Sequence, residues 1–245
     1  MESQRFLASN CNRKALTAVR ICPGLFIMKE AGKIFFEQAY RLGGKRIEVG
    51  LGWPIKGAGN EVKYFFKIIK KNISTGKVLD LGCGEGRISI FFAQKGFVVH
   101  GIDFAQGAIK RAKKFAEEAK VADKIYFKVG NVLSLPYPDK IFDVVVDWSV
   151  FDHIEPKNWN LYLKNLLRVL KREGFYILTV FSVNTPWVAC YKNRYYSGDA
   201  YFHFFTEKNI KEIFGKYFKI IKIYERLHST PKPIFMFYHI LMVKQ

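Results

Sequence analysis

The run VLDLGCGEGR (78–87) passes without a break from an apolar strand pattern into Gly82, Gly84 and Gly86. Glycines at this spacing let the backbone turn tightly and let a ligand approach it, while the helix that follows offers unpaired N–H groups. Asp103 closes the next apolar run, FVVHGID (97–103). It stands about 20 residues downstream, where a carboxylate can accept from both hydroxyls of a ribose. Strand, glycines, helix, strand and acid in that order distinguish the loop from an ordinary tight β–α turn and point to a nucleotide-like ligand. Asp80, just ahead of the loop, suits a ligand with a cationic amino-acid end, whereas a dinucleotide would bring anionic phosphates to the same place.

The alternation continues downstream. KVLDLGC (77–83), FVVHGID, KIYFKVG (124–130), FDVVVDWS (142–149) and FYILTVF (175–181) read as strands, with helical patterns near 86–95, 105–119 and 157–171. Strands separated by helices of this length require right-handed crossovers, hence an α/β, Rossmann-like parallel sheet with helices on both faces. At the end, TEKNIKEIFGKY (206–217) carries a helix-start signature. FKIIKIYERL (218–227) and IFMFYHILMV (234–243) follow as two strands joined across a Pro-containing turn, an antiparallel hairpin added to the sheet. Upstream, 61–73 reads as an amphipathic helix with Val62, Phe65, Phe66 and Ile69 on one face, and 47–60 as a glycine-rich loop. The expected organisation is an N-terminal extension over 1–27, a helical cap or lid over 28–76, and the sheet domain over 77–245. Residues 1–27 combine several arginines with small polar residues, which superficially suits a transit peptide; equally, the working protein begins at Met28 and the extension is mobile and non-catalytic.

Forty Lys plus Arg face 21 Asp plus Glu, a net charge of +19 concentrated outside the middle of the chain. Such an excess attracts polyanions, RNA or an acidic membrane surface among them. The lysines are nevertheless scattered among Ile, Phe and Asn with no Arg-rich tract, which favours a solvated surface over a nucleic-acid interface. Every apolar run is interrupted by Lys or Arg before the roughly 20 residues a membrane span needs. The four cysteines at 11, 22, 83 and 190 form no CxxC pair and no metal-ligand spacing, so neither a disulfide framework nor a metal site is expected, and a reducing cytoplasm fits.

The sequence resembles the class I S-adenosylmethionine-dependent methyltransferases through LDLGCGEGR, GIDFA (101–105), VGNVLSLPY (129–137), FDVVVDWSVFDHI (142–154) and LKREGFYIL (170–178). That resemblance, over roughly 70–245, implies a seven-stranded sheet whose last strand is antiparallel. It implies that Asp80, Gly82, Cys83 and Gly84 wall the methionine end of S-adenosylmethionine, that Asp103 holds the ribose with Phe104 beside the adenine, and that Asn131 and Val132 face the adenine edge. Asp147, Trp148 and Ser149 would lie at the tip of the fourth strand, next to the transferable methyl. Asn131 replaces the usual Asp, and Arg172-Glu173-Gly174 keeps only the last glycine of the usual Pro-Gly-Gly turn. A closer resemblance is to small-molecule methyltransferases of the thiopurine and tellurite-resistance type, through the GWP loop, DWSVFDHI and YFHFFTEKNIKEIF (201–214). In that type the upstream segment folds over the cofactor, which makes Trp53 and Tyr40 lid candidates.

Methyl transfer from a sulfonium is an in-line displacement, so alignment supplies much of the acceleration. A thiolate acceptor needs no base; a hydroxyl or a protonated amine does. His153 is then the natural proton acceptor and Asp152 its orienting partner, against the alternative that the ring satisfies a local backbone hydrogen bond. The aromatic tract 182–205 reads as an acceptor-pocket lid, or otherwise as a small satellite core. The expected activity is methyl transfer to a small-molecule acceptor. The alternatives are an RNA or protein methyltransferase using the basic flanks, a non-catalytic S-adenosylmethionine-binding module and, more distantly, a nicotinamide oxidoreductase.

Overall fold

The computed structural model describes Glu37, residues 59–186, Val188, and residues 194–197, 200–228 and 235–245. Helix α1 (Asn60–Ile69) buries Val62, Phe65, Phe66 and Ile69, the stripe anticipated from its 3.6-residue period. After it, β1 (Lys77–Leu81), α2 (Arg87–Gln94), β2 (Val98–Asp103), α3 (Gln106–Glu118), β3 (Ile125–Val129), β4 (Phe142–Trp148), α4 (Trp159–Val169) and β5 (Leu170–Phe181) alternate. A short hairpin, β6 (Arg194–Ser197) and β7 (Ala200–His203), precedes α5 (Glu207–Phe214), β8 (Phe218–His228) and β9 (Phe235–Lys244). The main sheet has seven strands in the order β3-β2-β1-β4-β5-β9-β8. Strands β1 to β5 pair in parallel, and β9 runs antiparallel to both β5 and β8. This is the expected Rossmann-like sheet with its C-terminal antiparallel hairpin.

Successive side chains of the inner strands enter two different cores, as the two-residue period of a strand requires. Leu79, Val145, Leu178 and Ile240 pack with Leu163 and Leu166 of α4 and with Ile210 and Phe214 of α5. Val78, Val144, Ile177 and Leu241 pack on the other face with α1 and with Phe92 of α2. Burial on both faces is why β1 and β4 read as continuous apolar runs. The edge strands β3 and β8 bury only their first residues, Ile125 and Phe218, and Lys128, Lys219 and Lys222 guard those edges against pairing with another chain.

One segment differs from the sequence expectation. Strand β5 begins five residues before FYILTVF, because Phe142 pairs with Leu170 and the next pair is Val144 with Phe175. The chain between makes a local excursion in which Glu173 adopts φ 60°, so the departure from Pro-Gly-Gly is absorbed as an irregularity within the strand. The tract expected as a lid carries the β6–β7 hairpin. Its Val188, Ala200, Phe202 and Phe204 form a separate apolar cluster with Phe181, Phe235 and Phe237.

Phe92 is fully buried and meets Phe66, Phe91 and Phe97 edge-on. Its replacement by Ala should lower unfolding stability by about 3–5 kcal/mol. A urea midpoint within error of the parent's would contradict this packing.

Candidate active site

The C-terminal ends of β1, β2 and β4 converge on the glycine loop. Gly82, Gly84 and Gly86 have φ of +59°, +52° and +76°, a region L side chains rarely adopt. A Cβ on Gly82 would also stand 2.3 Å from Val150 Cγ2. The loop is held from behind by Asp103. Its Oδ2 accepts the Gly84 N–H at 2.9 Å and its Oδ1 accepts the Ala105 N–H at 2.8 Å, leaving each oxygen a further lone pair. Burial raises the Asp103 pKa, and the two backbone donors offset part of that. Asp80 is buried and accepts from Ser89 Oγ at 2.6 Å, bracing the start of α2; burial pushes its carboxyl up to about 7. Cys83 is buried too, and burial together with Asp80 and Asp103 pushes its thiol well above the ordinary range. It is therefore a thiol, poorly suited to act as a nucleophile.

On the adenine side anticipated from sequence, Asn131 is exposed and closes its own loop by accepting the Leu133 N–H at 2.8 Å. Val132 and Phe104 are half-buried. Glu37, which sequence reasoning missed, reaches this edge. It accepts the Gln106 N–H at 2.6 Å and the Gly107 N–H at 3.5 Å, capping α3 beside Asp103. A carboxylate at a helix N-terminus is a familiar partner of its free N–H groups, but a contact across 69 residues leaves no local signature. Trp53 and Tyr40 lie outside the described residues.

The tip of β4 splits its three candidates between the faces of the sheet. Asp147 is fully buried, receives the Tyr162 hydroxyl on Oδ2 and the Val150 N–H on Oδ1 at 2.8 Å, and is pushed by burial up to about 7. It holds the turn rather than presenting a charge. Trp148 points the other way, its ring 5.3 Å from that of His239. Ser149, at φ 61°, donates to Asp152 Oδ2 at 2.8 Å. Asp152 also accepts the Phe181 N–H at 3.2 Å, tying the β4 tip to the end of β5, while its Oδ1 has no hydrogen-bond partner among the described residues. Burial pushes Asp152 up to about 7. His153 sits 2.8 Å through Nδ1 from the Tyr201 carbonyl. A carbonyl only accepts, so Nδ1 carries the proton and Nε2 the lone pair. Burial lowers the His153 pKa to about 4, which keeps the ring neutral. Its Nε2 is 4.0 Å from Asp152 Oδ1, beyond a hydrogen bond.

A methyltransferase-domain family model matches residues 78–174, the stretch from the glycine loop to the excursion in β5. A solved S-adenosylmethionine-dependent methyltransferase from Methanosarcina mazei superposes with a TM-score of 0.62 at 25% identity, over 72% of this chain and 96% of that one. Residues 78–174 form a class I S-adenosylmethionine-dependent methyltransferase domain. Among curated relatives, the ubiquinone biosynthesis O-methyltransferase of Rickettsia conorii is 32% identical over 168 residues, 67% of this chain and 54% of the relative. The chain thus spans about half the length of that relative. The fold extends further. The Burkholderia thailandensis 1,6-didemethyltoxoflavin-N1-methyltransferase, solved with S-adenosylhomocysteine, superposes over 92% of this chain with a TM-score of 0.67 at 17% identity. Among the described residues, no helix of this methyltransferase fold is long and apolar enough to cross a membrane.

Asp152 gives a pH test of this geometry. Its carboxyl titrates near 3.9 when unfolded and at about 7 in the native chain, so the native state holds the extra proton between these values. Native stability from this group is full below the lower value and is lost as pH rises through the upper one. Asp152→Asn keeps the acceptor and donor of the protonated acid without titrating. Relative to the parent, the variant should gain up to an order of 4 kcal/mol from about pH 4 to pH 8, read by chemical denaturation. Parallel pH profiles would remove the buried, protonated assignment.

Proposed function

We propose that the protein transfers a methyl group from S-adenosylmethionine to a small-molecule acceptor. The observation that carries this is Asp103, whose carboxylate is clamped by the Gly84 and Ala105 N–H groups at the mouth of a loop of three left-handed glycines. The donor set suits the cofactor. The remaining Asp103 lone pairs accept ribose hydroxyls, Phe104 and Val132 offer apolar surface to a flat base, and the Asn131 side chain stands at its edge. Asp80, Gly82, Cys83 and Gly84 wall the amino-acid end. When bound, S-adenosylmethionine supplies a methyl group on a positively charged sulfur, already activated for displacement.

The chain's own residues then align and exclude water. Asp147 and Asp152 fix the β4 tip by hydrogen bonds from Tyr162, Ser149 and the backbone. That tip holds Ser149 against Asp152 and turns Trp148 toward His239. His153 fastens β7 to the tip through Tyr201, which supports a positioning role. Its proton-free Nε2 is the group that would accept a proton from a hydroxyl acceptor. The buried aromatic cluster around Phe181 and Phe202 backs the β6–β7 hairpin, beside which we place the acceptor. The similarity to a ubiquinone biosynthesis O-methyltransferase and to a 1,6-didemethyltoxoflavin-N1-methyltransferase favours a small organic acceptor over RNA. The free, buried Cys83 accords with a reducing, cytoplasmic setting.

Calorimetry with S-adenosylhomocysteine tests the cofactor assignment. One-to-one binding should be weakened at least tenfold by Asp103→Ala, with no comparable binding of NAD. Unchanged affinity in Asp103→Ala would remove the ribose assignment. With labelled S-adenosylmethionine, methyl incorporation into a small-molecule panel should exceed that into RNA or protein, and the reverse order would favour a macromolecular acceptor.

A further inference from the structure

On the α1 face of the sheet, three ligand-type side chains from distant parts of the chain meet. Glu61 lies in the first turn of α1, His228 ends β8 and His239 stands in β9. One potential ligand atom from each falls within 4.8 Å of the others. Glu61 is 4% exposed and His239 is fully buried. Period-two spacing places Tyr224, Arg226 and His228 on one face of β8. His239 pairs with Tyr224 across the ladder. We propose that Glu61, His228 and His239 form a binding site for a divalent cation of the zinc class.

Three features support it. The two Nε2 atoms are 3.1 Å apart. Two Zn–N bonds of about 2.0–2.1 Å at a tetrahedral angle separate their nitrogens by about 3.3 Å, so the pair already approximates the required chord. The outer contacts have the arrangement that orients metal ligands: His239 Nδ1 meets Thr179 Oγ1 at 3.0 Å and Arg226 holds Glu61 Oε1 at 2.5 Å. Donation from Nδ1 to the hydroxyl leaves the His239 lone pair on Nε2. The rings are fixed by aromatic neighbours, Trp148 and Tyr224 against His239 and Phe237 against His228. The Arg226 guanidinium opposes a cation, but it engages one carboxylate oxygen and leaves the other to bind. No Cys/His spacing announces such a site, because its ligands lie at 61, 228 and 239 and only the hairpin and α1 bring them together. Three protein ligands leave a fourth position for water or for the oxygen or sulfur of an acceptor. The Trp148 ring against His239 sets the three residues beside the end of β4.

The test is titration of chelator-treated protein with Co²⁺, followed by competition with Zn²⁺. One equivalent should bind with the intense visible ligand-field bands of a tetrahedral site and without thiolate charge transfer, which separates it from any cysteine site. Affinity should fall by at least the roughly 10–100-fold that loss of an outer contact costs, in Glu61→Gln and in His228→Gln. The latter lies at a half-exposed position, so its thermal melt checks the fold without disturbing the fully buried His239. Absence of binding, thiolate bands, or equal affinity in folded His228→Gln would overturn the proposal. None of these readouts depends on methyl transfer.

Discussion

The clamp made by Asp103 organises the ligand edge of this sheet. One carboxylate, buried at the end of β2, draws in the N–H of Gly84 from the preceding crossover and the N–H of Ala105 at the head of the next one. The charge-assisted bonds offset part of the desolvation that a buried carboxylate incurs. They also force the loop between β1 and α2 into the left-handed turns that only glycine tolerates cheaply. The position of α2, of α3 and of the space between them follows from that one side chain. Glu37 extends the same principle to the upstream segment, whose carboxylate satisfies the first N–H groups of α3.

A second group of buried acids works at the β4 tip. Asp147 and Asp152 each receive a hydroxyl and a backbone N–H from different elements, so each acts as a joint. Asp147 links the strand to α4 through Tyr162, whose hydroxyl also meets that of Tyr176 in β5. Burial raises both carboxyls to about 7. In both cases the carboxyl accepts from a hydroxyl and from the backbone, and these bonds fix the tip. The cleft at the other end of the strands, around the Lys171–Asp143 ion pair, has a different character. There Asp143 accepts the Lys77 N–H at 2.8 Å and fastens β1 to β5, a structural duty.

The sheet was legible because its inner strands are buried on both faces and its glycines stand where no other residue fits. The terminal hairpin was legible for a related reason, two alternating runs bracketing a proline. The excursion at Glu173 was not, since it depends on which residue of β4 pairs with Leu170, a register set by packing across the sheet. Directions were also hidden. Asp147, Trp148 and Ser149 are consecutive, but strand geometry sends Trp148 to the face opposite its neighbours, and motif position alone does not reveal which partner each finds. Glu37 and the Glu61–His228–His239 group depend on contacts between distant segments, so no local pattern carries them.

The order of strands has a consequence for synthesis. β9 is an interior strand, hydrogen-bonded to β5 on one side and β8 on the other, although it follows every other described strand in the sequence. Until it emerges from the ribosome, β5 presents a long apolar edge with its hydrogen-bonding groups unpaired. Neither core can close over that strand during translation, because Ile240 and Leu241 each complete a different one. Non-local pairing of this kind is slow to form and exposed to aggregation while incomplete. The β5 edge therefore stays dependent on protection until β9 is available to pair with it.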